Sequence, residues 1–255
     1  MRVLNSITTV VIVLMVLPLL VVAPLSFSSS SLLSLPIPGW SMQWYAAFIH
    51  DPRWLAATRT SFLVGGLTVL AATPLGTLAA LGLHFGRFPG RRLMLAAMLA
   101  PVVTPSVITG LAMYLAFARV GLTNTLPGLV LAHTVLGAPY SVAAVLAGLQ
   151  GIDGSLLLAA RGLGAPPRAV LRRVLAPLLA PGIAAGAVFA FAISFDELVI
   201  TLFLAGPDQQ TLPRQMFAGL RETLSPTLAA AACVLGLFSL ALLGLWQIVR
   251  GRQAE

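Results

Sequence analysis

Along its length the chain alternates between long stretches without a charged residue and short polar or arginine-bearing intervals. Stretches matching the roughly 20 apolar residues that a membrane-crossing helix needs occur six times, over about residues 7–27, 61–83, 93–117, 127–149, 178–204 and 227–248. Only the fifth contains formal charges, Asp196 and Glu197. The pattern predicts an all-α integral membrane protein with six transmembrane helices, organised as one transmembrane domain over residues 1–255. Pro74, Pro101, Pro105, Pro139 and Pro181 interrupt these stretches. In a bilayer, neighbouring helices satisfy the carbonyls that proline frees. The first stretch reads as a retained span, because it exceeds the ~7–15 residues of a signal-peptide core and Pro24 follows the small-residue site Val21-Val22-Ala23.

The interval after the first stretch holds serines at 28–31, a turn at Pro36-Ile37-Pro38-Gly39, and Trp40, Trp44, Tyr45 and Trp54 close together. It predicts a short helix over residues 41–49 with Ser41 as N-cap, and a second helix start at Asp51-Pro52. The aromatics fit two roles, anchoring at the headgroup level or packing the loop itself.

Composition agrees with a bilayer as solvent: 58% of residues are hydrophobic and 9% charged, against about 25% charged in soluble domains, and the mean hydropathy is +0.98. Fifteen basic against seven acidic residues give +8, and all fifteen are arginine. A chain without lysine carries neither a P-loop lysine nor a Schiff-base lysine. The lone Cys233 excludes an internal disulfide and a cysteine zinc site, and neither an HExxH nor a GxSxG string is present. No catalytic residue, metal site or cofactor is therefore expected. The arginines are dispersed between apolar runs rather than gathered into a patch, which argues against nucleic acid and for a role in topology. Arg2, Arg87, Arg91, Arg92, Arg161, Arg168, Arg172, Arg173, Arg250 and Arg252 fall on one face, and Arg53, Arg59, Arg119, Arg214 and Arg221 on the other. The positive-inside rule then places both termini in the cytoplasm.

The cytoplasmic segment 150–177 is much longer than its counterpart at 84–92. It predicts a helix from Ser155 ended by Gly164, then a second helix started by Pro166 and Pro167, carrying Arg168, Arg172 and Arg173 to Pro177 at the membrane. A helical hairpin there is a docking element with an apolar side for the bundle and a polar side for a partner, or a basic hairpin on anionic headgroups.

Within this segment Ala159-Ala160, Gly164, Val174 and Pro177 fall in the register of the EAA signature, and the stretch resembles that of permease subunits of binding-protein-dependent ABC importers. Leu158 stands where the family has its acid. Ser194-Phe195-Asp196-Glu197, Leu204-Ala205-Gly206-Pro207, Leu212-Pro213 and Ser225-Pro226-Thr227 extend the resemblance toward permeases of the spermidine/putrescine type. The resemblance implies a type I importer permease fold in the bacterial inner membrane. It also implies a second, non-identical permease, two cytoplasmic ATPase subunits and an extracytoplasmic solute-binding protein as partners. Ala159, Ala160, Arg161, Gly164, Pro166, Arg168 and Pro177 would couple the chain to the ATPase.

Asp196 and Glu197 lie about eight residues, or ~12 Å, from the end of their stretch, well inside a ~30 Å core. An acid there costs ~3 kcal/mol on insertion scales and faces a water-filled cavity or a partner charge. In a continuous helix Ser194, Glu197 and Thr201 share one stripe, with Asp196 on the adjoining side, so these four are the expected substrate pathway, Glu197 foremost. A structural role, such as capping a broken helix, stays open for the acids. Tyr140 offers a cation–π face for an amine, and lone His133 reads as a helix–helix hydrogen bonder. Other cargoes (iron, an opine, an amino acid) and an ion-coupled secondary transporter are the alternatives.

Overall fold

The computed structural model describes residues 2–222 and 225–251; Arg252, one of the basic-face arginines, lies outside them. In chain order the helices are α1 (Arg2–Leu25), α2 (Gln43–His50), α3 (Pro52–Phe85), α4 (Arg91–Val103), α5 (Ser106–Arg119), α6 (Leu126–Gln150), α7 (Gly154–Gly162), α8 (Pro167–Ala169), α9 (Ala176–Asp196), α10 (Val199–Leu204), α11 (Leu212–Glu222) and α12 (Pro226–Gly251), with a π-helical turn (Val170–Leu175) joining α8 to α9. Among the described residues there is no strand, only an isolated bridge between Ser28 and Trp40. The architecture is all-α, as the apolar pattern predicts.

Four helical stretches among the described residues are long and apolar enough to cross a membrane: Ser6–Leu25, Pro52–Phe85, Leu126–Gln150 and Pro167–Asp196. The third apolar stretch is not one helix. Arg91–Val103 and Ser106–Arg119 meet at a 107° bend, because Pro105 disfavours helical geometry in the residue before it and Thr104 is extended (φ −80°, ψ 135°). Pro177, expected to end the second loop helix, lies inside a continuous helical run. It donates no backbone bond, and a π turn precedes it, in which the Ala176 N–H reaches back to the Leu171 carbonyl.

The chain divides into two compact units, one of residues up to 58 with 212–241 and one built on residues 59–211. In the first, Ser41 does not cap α2. Met42 is the N-cap and makes no side-chain cap bond, while Ser41 Oγ accepts the Gln43 N–H at 3.1 Å. At the start of α3 the Asp51 carboxylate accepts the Arg53 N–H at 2.8 Å and its guanidinium at 2.9 Å. The guanidinium holds the Asp51 carboxyl below its ordinary range. Three of the four aromatics pack the loop: Trp44 donates to the Ser28 carbonyl at 2.6 Å, Tyr45 bonds Ser26 Oγ at 2.7 Å, and Trp54 is buried beside Phe48. Trp40 is exposed.

In the second unit, α3, α6 and α9 approach closely through small residues, the usual device where lipid removes the hydrophobic drive between helices. Ser141 on α6 sits between two glycines: a Cβ on Gly76 of α3 would lie 2.5 Å from Ser141 Cβ, and one on Gly186 of α9 3.0 Å from Ser141 Cα. Ser141 Oγ donates to the Gly186 carbonyl at 3.1 Å. Apolar clusters flank this seam, one formed by Val64, Leu129, Leu136, Ile200 and Leu204, the other by Ala80, Val145, Leu149, Leu175 and Leu179. The first of them seats α10.

Candidate functional site

The fifth apolar stretch breaks at its two acids. Helix α9 ends with Asp196, Glu197 turns to extended geometry (φ −74°, ψ 118°), and α10 begins after Leu198. A new helix start leaves backbone N–H groups without intrahelical partners, and Glu197 Oε1 accepts one of them, from Ile200, at 2.8 Å. A carboxylate at this end is also favoured by the helix dipole. Asp196 is exposed and Glu197 half-buried.

The break removes the continuous stripe expected for Ser194, Glu197 and Thr201. Ser194 and Thr201 nevertheless meet, at the ring of His133 on α6. Ser194 Oγ lies 2.8 Å from Nδ1 and Thr201 Oγ1 3.1 Å from Nε2. All three residues are buried. Ser194 Oγ also lies 3.3 Å from Thr68 Oγ1 of α3, and Thr201 Oγ1 3.2 Å from the Glu197 carbonyl; a neutral imidazole donates at one nitrogen and accepts at the other, so one of the two hydroxyls gives its proton to the ring and the other to its second partner. His133 thus has both nitrogens engaged, as its isolation in an apolar stretch suggests. Tyr140 is half-buried and is not brought to the acids. Its neighbour Ser141 packs on Gly186, ten residues before Asp196 on α9, or about 15 Å along the axis.

The segment 150–177 builds the expected hairpin. α7 starts at Gly154, one residue before the expected Ser155, with Asp153 as its N-cap, whose Oδ1 accepts the Ser155 N–H at 2.9 Å. That bond holds the Asp153 carboxyl below its ordinary range. The far end closes as a Schellman motif: Ala165 N–H to the Ala160 carbonyl at 3.1 Å and Gly164 N–H to the Arg161 carbonyl at 2.9 Å. Gly164 has φ +82°, the left-handed geometry that glycine adopts without a Cβ penalty. Leu157 packs against the apolar cluster beneath it, whereas Leu158 and Leu163 are 68% and 89% exposed. The face turned outward is therefore apolar as well as basic, with Ala159, Arg161, Pro166, Arg168, Arg172, Arg173 and Pro177 all exposed and Ala160 half-buried.

Thr68 and Asp153 escape the sequence reading. Asp153 carried a usable signal, an Asp preceding Gly-Ser at a helix start. Thr68 carried none, since a threonine in an apolar helix can satisfy its hydroxyl on its own backbone.

Residues 72–254 match the family described as the binding-protein-dependent transport system inner membrane component. The chain is 34% identical over 225 residues to the putrescine transport system permease protein PotI of Escherichia coli (strain K12), covering 86% of this chain and 80% of that protein. It is 27% identical over 233 residues to the spermidine/putrescine transport system permease protein PotC of the same strain, covering 91% and 88%. A solved bacterial ABC transporter involved in import of the acidic polysaccharide alginate contains a chain of the same fold. Its TM-score is 0.75 at 15% identity, over 100% of this chain and 96% of that one.

Proposed function

The chain belongs to the family of inner membrane components of binding-protein-dependent transport systems, and on that premise we propose that it forms half of the pathway by which an ABC importer admits a polyamine. The observation that carries the cargo is the pair of adjacent carboxylates at the α9–α10 break, one exposed and one half-buried, in a stretch without arginine. A di- or polyammonium ion entering a low-dielectric wall loses hydration worth several kcal/mol or more. Two fixed carboxylates offset part of that loss and still let the ion leave. The transport of putrescine and spermidine by the relatives supplies the particular cation.

The remaining partners follow from the same reading. A second, homologous permease completes the pathway, an extracytoplasmic binding protein delivers the solute, and two cytoplasmic ATPase subunits hydrolyse the ATP. The chain has no lysine for a phosphate-binding loop of its own. The α7–Gly164–α8 hairpin, with its rigid cap and outward Leu158 and Leu163, docks on the ATPase, and both termini lie in the cytoplasm. Purification of the tagged chain with its copurifying subunits, followed by reconstitution into vesicles, tests this. The expected result is putrescine or spermidine uptake that needs ATP and binding protein. Uptake driven by an ion gradient and abolished by ionophore, or import of an anionic solute without polyamines, overturns it.

A further inference from the structure

We infer that His133 is a positioning residue: it staples the two sides of the α9–α10 break together and so fixes where Asp196 and Glu197 stand. Ser194 belongs to α9 and Thr201 to α10, and one imidazole on α6 holds both, at 2.8 and 3.1 Å. In an unbroken helix these residues would be two turns apart, about 10 Å along the axis. The imidazole has one arm on each side of the break, and losing it leaves α9 and α10 joined there only by the chain and their packing.

The surroundings leave the ring little freedom. His133, Thr201 and Ser194 are at most 4% exposed, and water cannot replace a lost partner there without opening the packing. Thr68 ties the Ser194 end to α3 at 3.3 Å. At the other end Thr201 Oγ1 lies 3.2 Å from the carbonyl of Glu197 itself, one residue from Asp196. The bridge thus runs α3, α9, α6, α10 and ends on the backbone of a pathway acid. A histidine is suited to this because its ring presents two nitrogens in opposite directions from a short stem. The inference rests on the reading of the two acids as pathway groups, and its test separates the two.

In the assembled transporter, with Cys233→Ser as background, spin labels at Phe189→Cys on α9 and Leu202→Cys on α10 report the distance across the break. Both sites are 41% exposed. With His133 present we expect one narrow distance distribution. In His133→Leu we expect a broadened distribution extending toward the ~20 Å of an unbroken helix, and a rise in the KM for polyamine on the order of tenfold, as for one lost buried hydrogen bond. His133→Gln, which keeps a donor and an acceptor, restores both in large part. Ser194→Ala and Thr201→Val each remove one arm and leave the ring, so a result is available even if His133→Leu assembles poorly. An unchanged distance in all three disruptive variants overturns the staple, as does a fall in Vmax with KM constant in step with lower complex yield, the mark of a packing defect alone. The distance reads the bridge whatever the cargo, whereas the charge test on Glu197 reads the pathway, so each can fail without the other.

Discussion

Glu197 caps α10 and, on the function proposed above, also meets the substrate; ordinary side-chain chemistry separates the two tasks. Its Oε1 accepts the Ile200 N–H at 2.8 Å, and its charge faces a stretch without a cationic side chain of its own. Glutamine keeps the acceptor and removes the charge, whereas alanine removes both. If the charge meets the substrate, Glu197→Gln assembles normally and loses polyamine uptake by roughly tenfold or more, as expected for a hydrogen bond to a charged group. Glu197→Ala loses the cap as well, at about 1 kcal/mol, and its assembly falls too. Wild-type uptake in the glutamine variant assigns Glu197 to capping alone. Asp196 makes no comparable backbone bond among the contacts described, so Asp196→Asn should affect transport without a loss of complex. Initial uptake rates and complex yield, measured together, decide between these outcomes.

At the scale of elements, two glycines are needed for different reasons. Gly164 is at φ +82° with nothing within 4 Å of where a Cβ would be, so its requirement is conformational. A β-branched residue in the left-handed region costs about 1–2 kcal/mol or more, while asparagine enters it readily. Gly164→Val should insert normally but lose ATPase association and uptake, and Gly164→Asn should retain most of both; equal behaviour of the pair would show that the α7 cap does not set the docking angle. Gly186 is instead limited by space, with Ser141 Cα at 3.0 Å, and Gly236 of α12 has nothing within 4 Å. Gly186→Val should lower the thermal stability of detergent-solubilised protein by an overpacking cost of about 1–3 kcal/mol, and Gly236→Val should leave it nearly unchanged. The same elements show what a sequence discloses. The apolar runs, the Gly164 stop and the satisfied His133 were legible because each depends on local length, backbone freedom or chemical isolation. The bend at Thr104 has its cause in Pro105, but proline is often absorbed within a span, so the residue alone does not announce a break. The Glu197 break has no glycine or proline to announce it. The spacing that pairs Ser194 with Thr201 is that of a continuous helix, which does not exist there, and they converge because His133, some sixty residues away in sequence, draws them together.

For the molecule as a whole, the open quantity is how many times the chain crosses the membrane, and it turns on α4 and α5. A pair bent by 107° either crosses as a broken span or returns to the face it left. The arginines decide between these. Arg87, Arg91 and Arg92 precede the bend, and Arg161, Arg168, Arg172 and Arg173 follow α6. If the pair crosses, α6 brings the chain back, and both basic groups share one face. If the pair returns, α6 alone separates them and the basic groups sit on opposite faces, contrary to the positive-inside rule. Charge therefore predicts a crossing, which with the four long helices and the shorter apolar stretch Pro226–Leu242 of α12 makes six in all, and both termini in the cytoplasm. A reporter inserted at Gly90, or fused after Arg252, should then give the cytoplasmic signal, and one near Ser30, Gly121 or Asp208 the external one. Gly121 is the telling site, since it lies just beyond α5 with a single bend between it and Gly90. Like signals from Gly90 and Gly121 would make the pair re-entrant, remove one crossing, and place the coupling hairpin on the side away from the 84–92 loop.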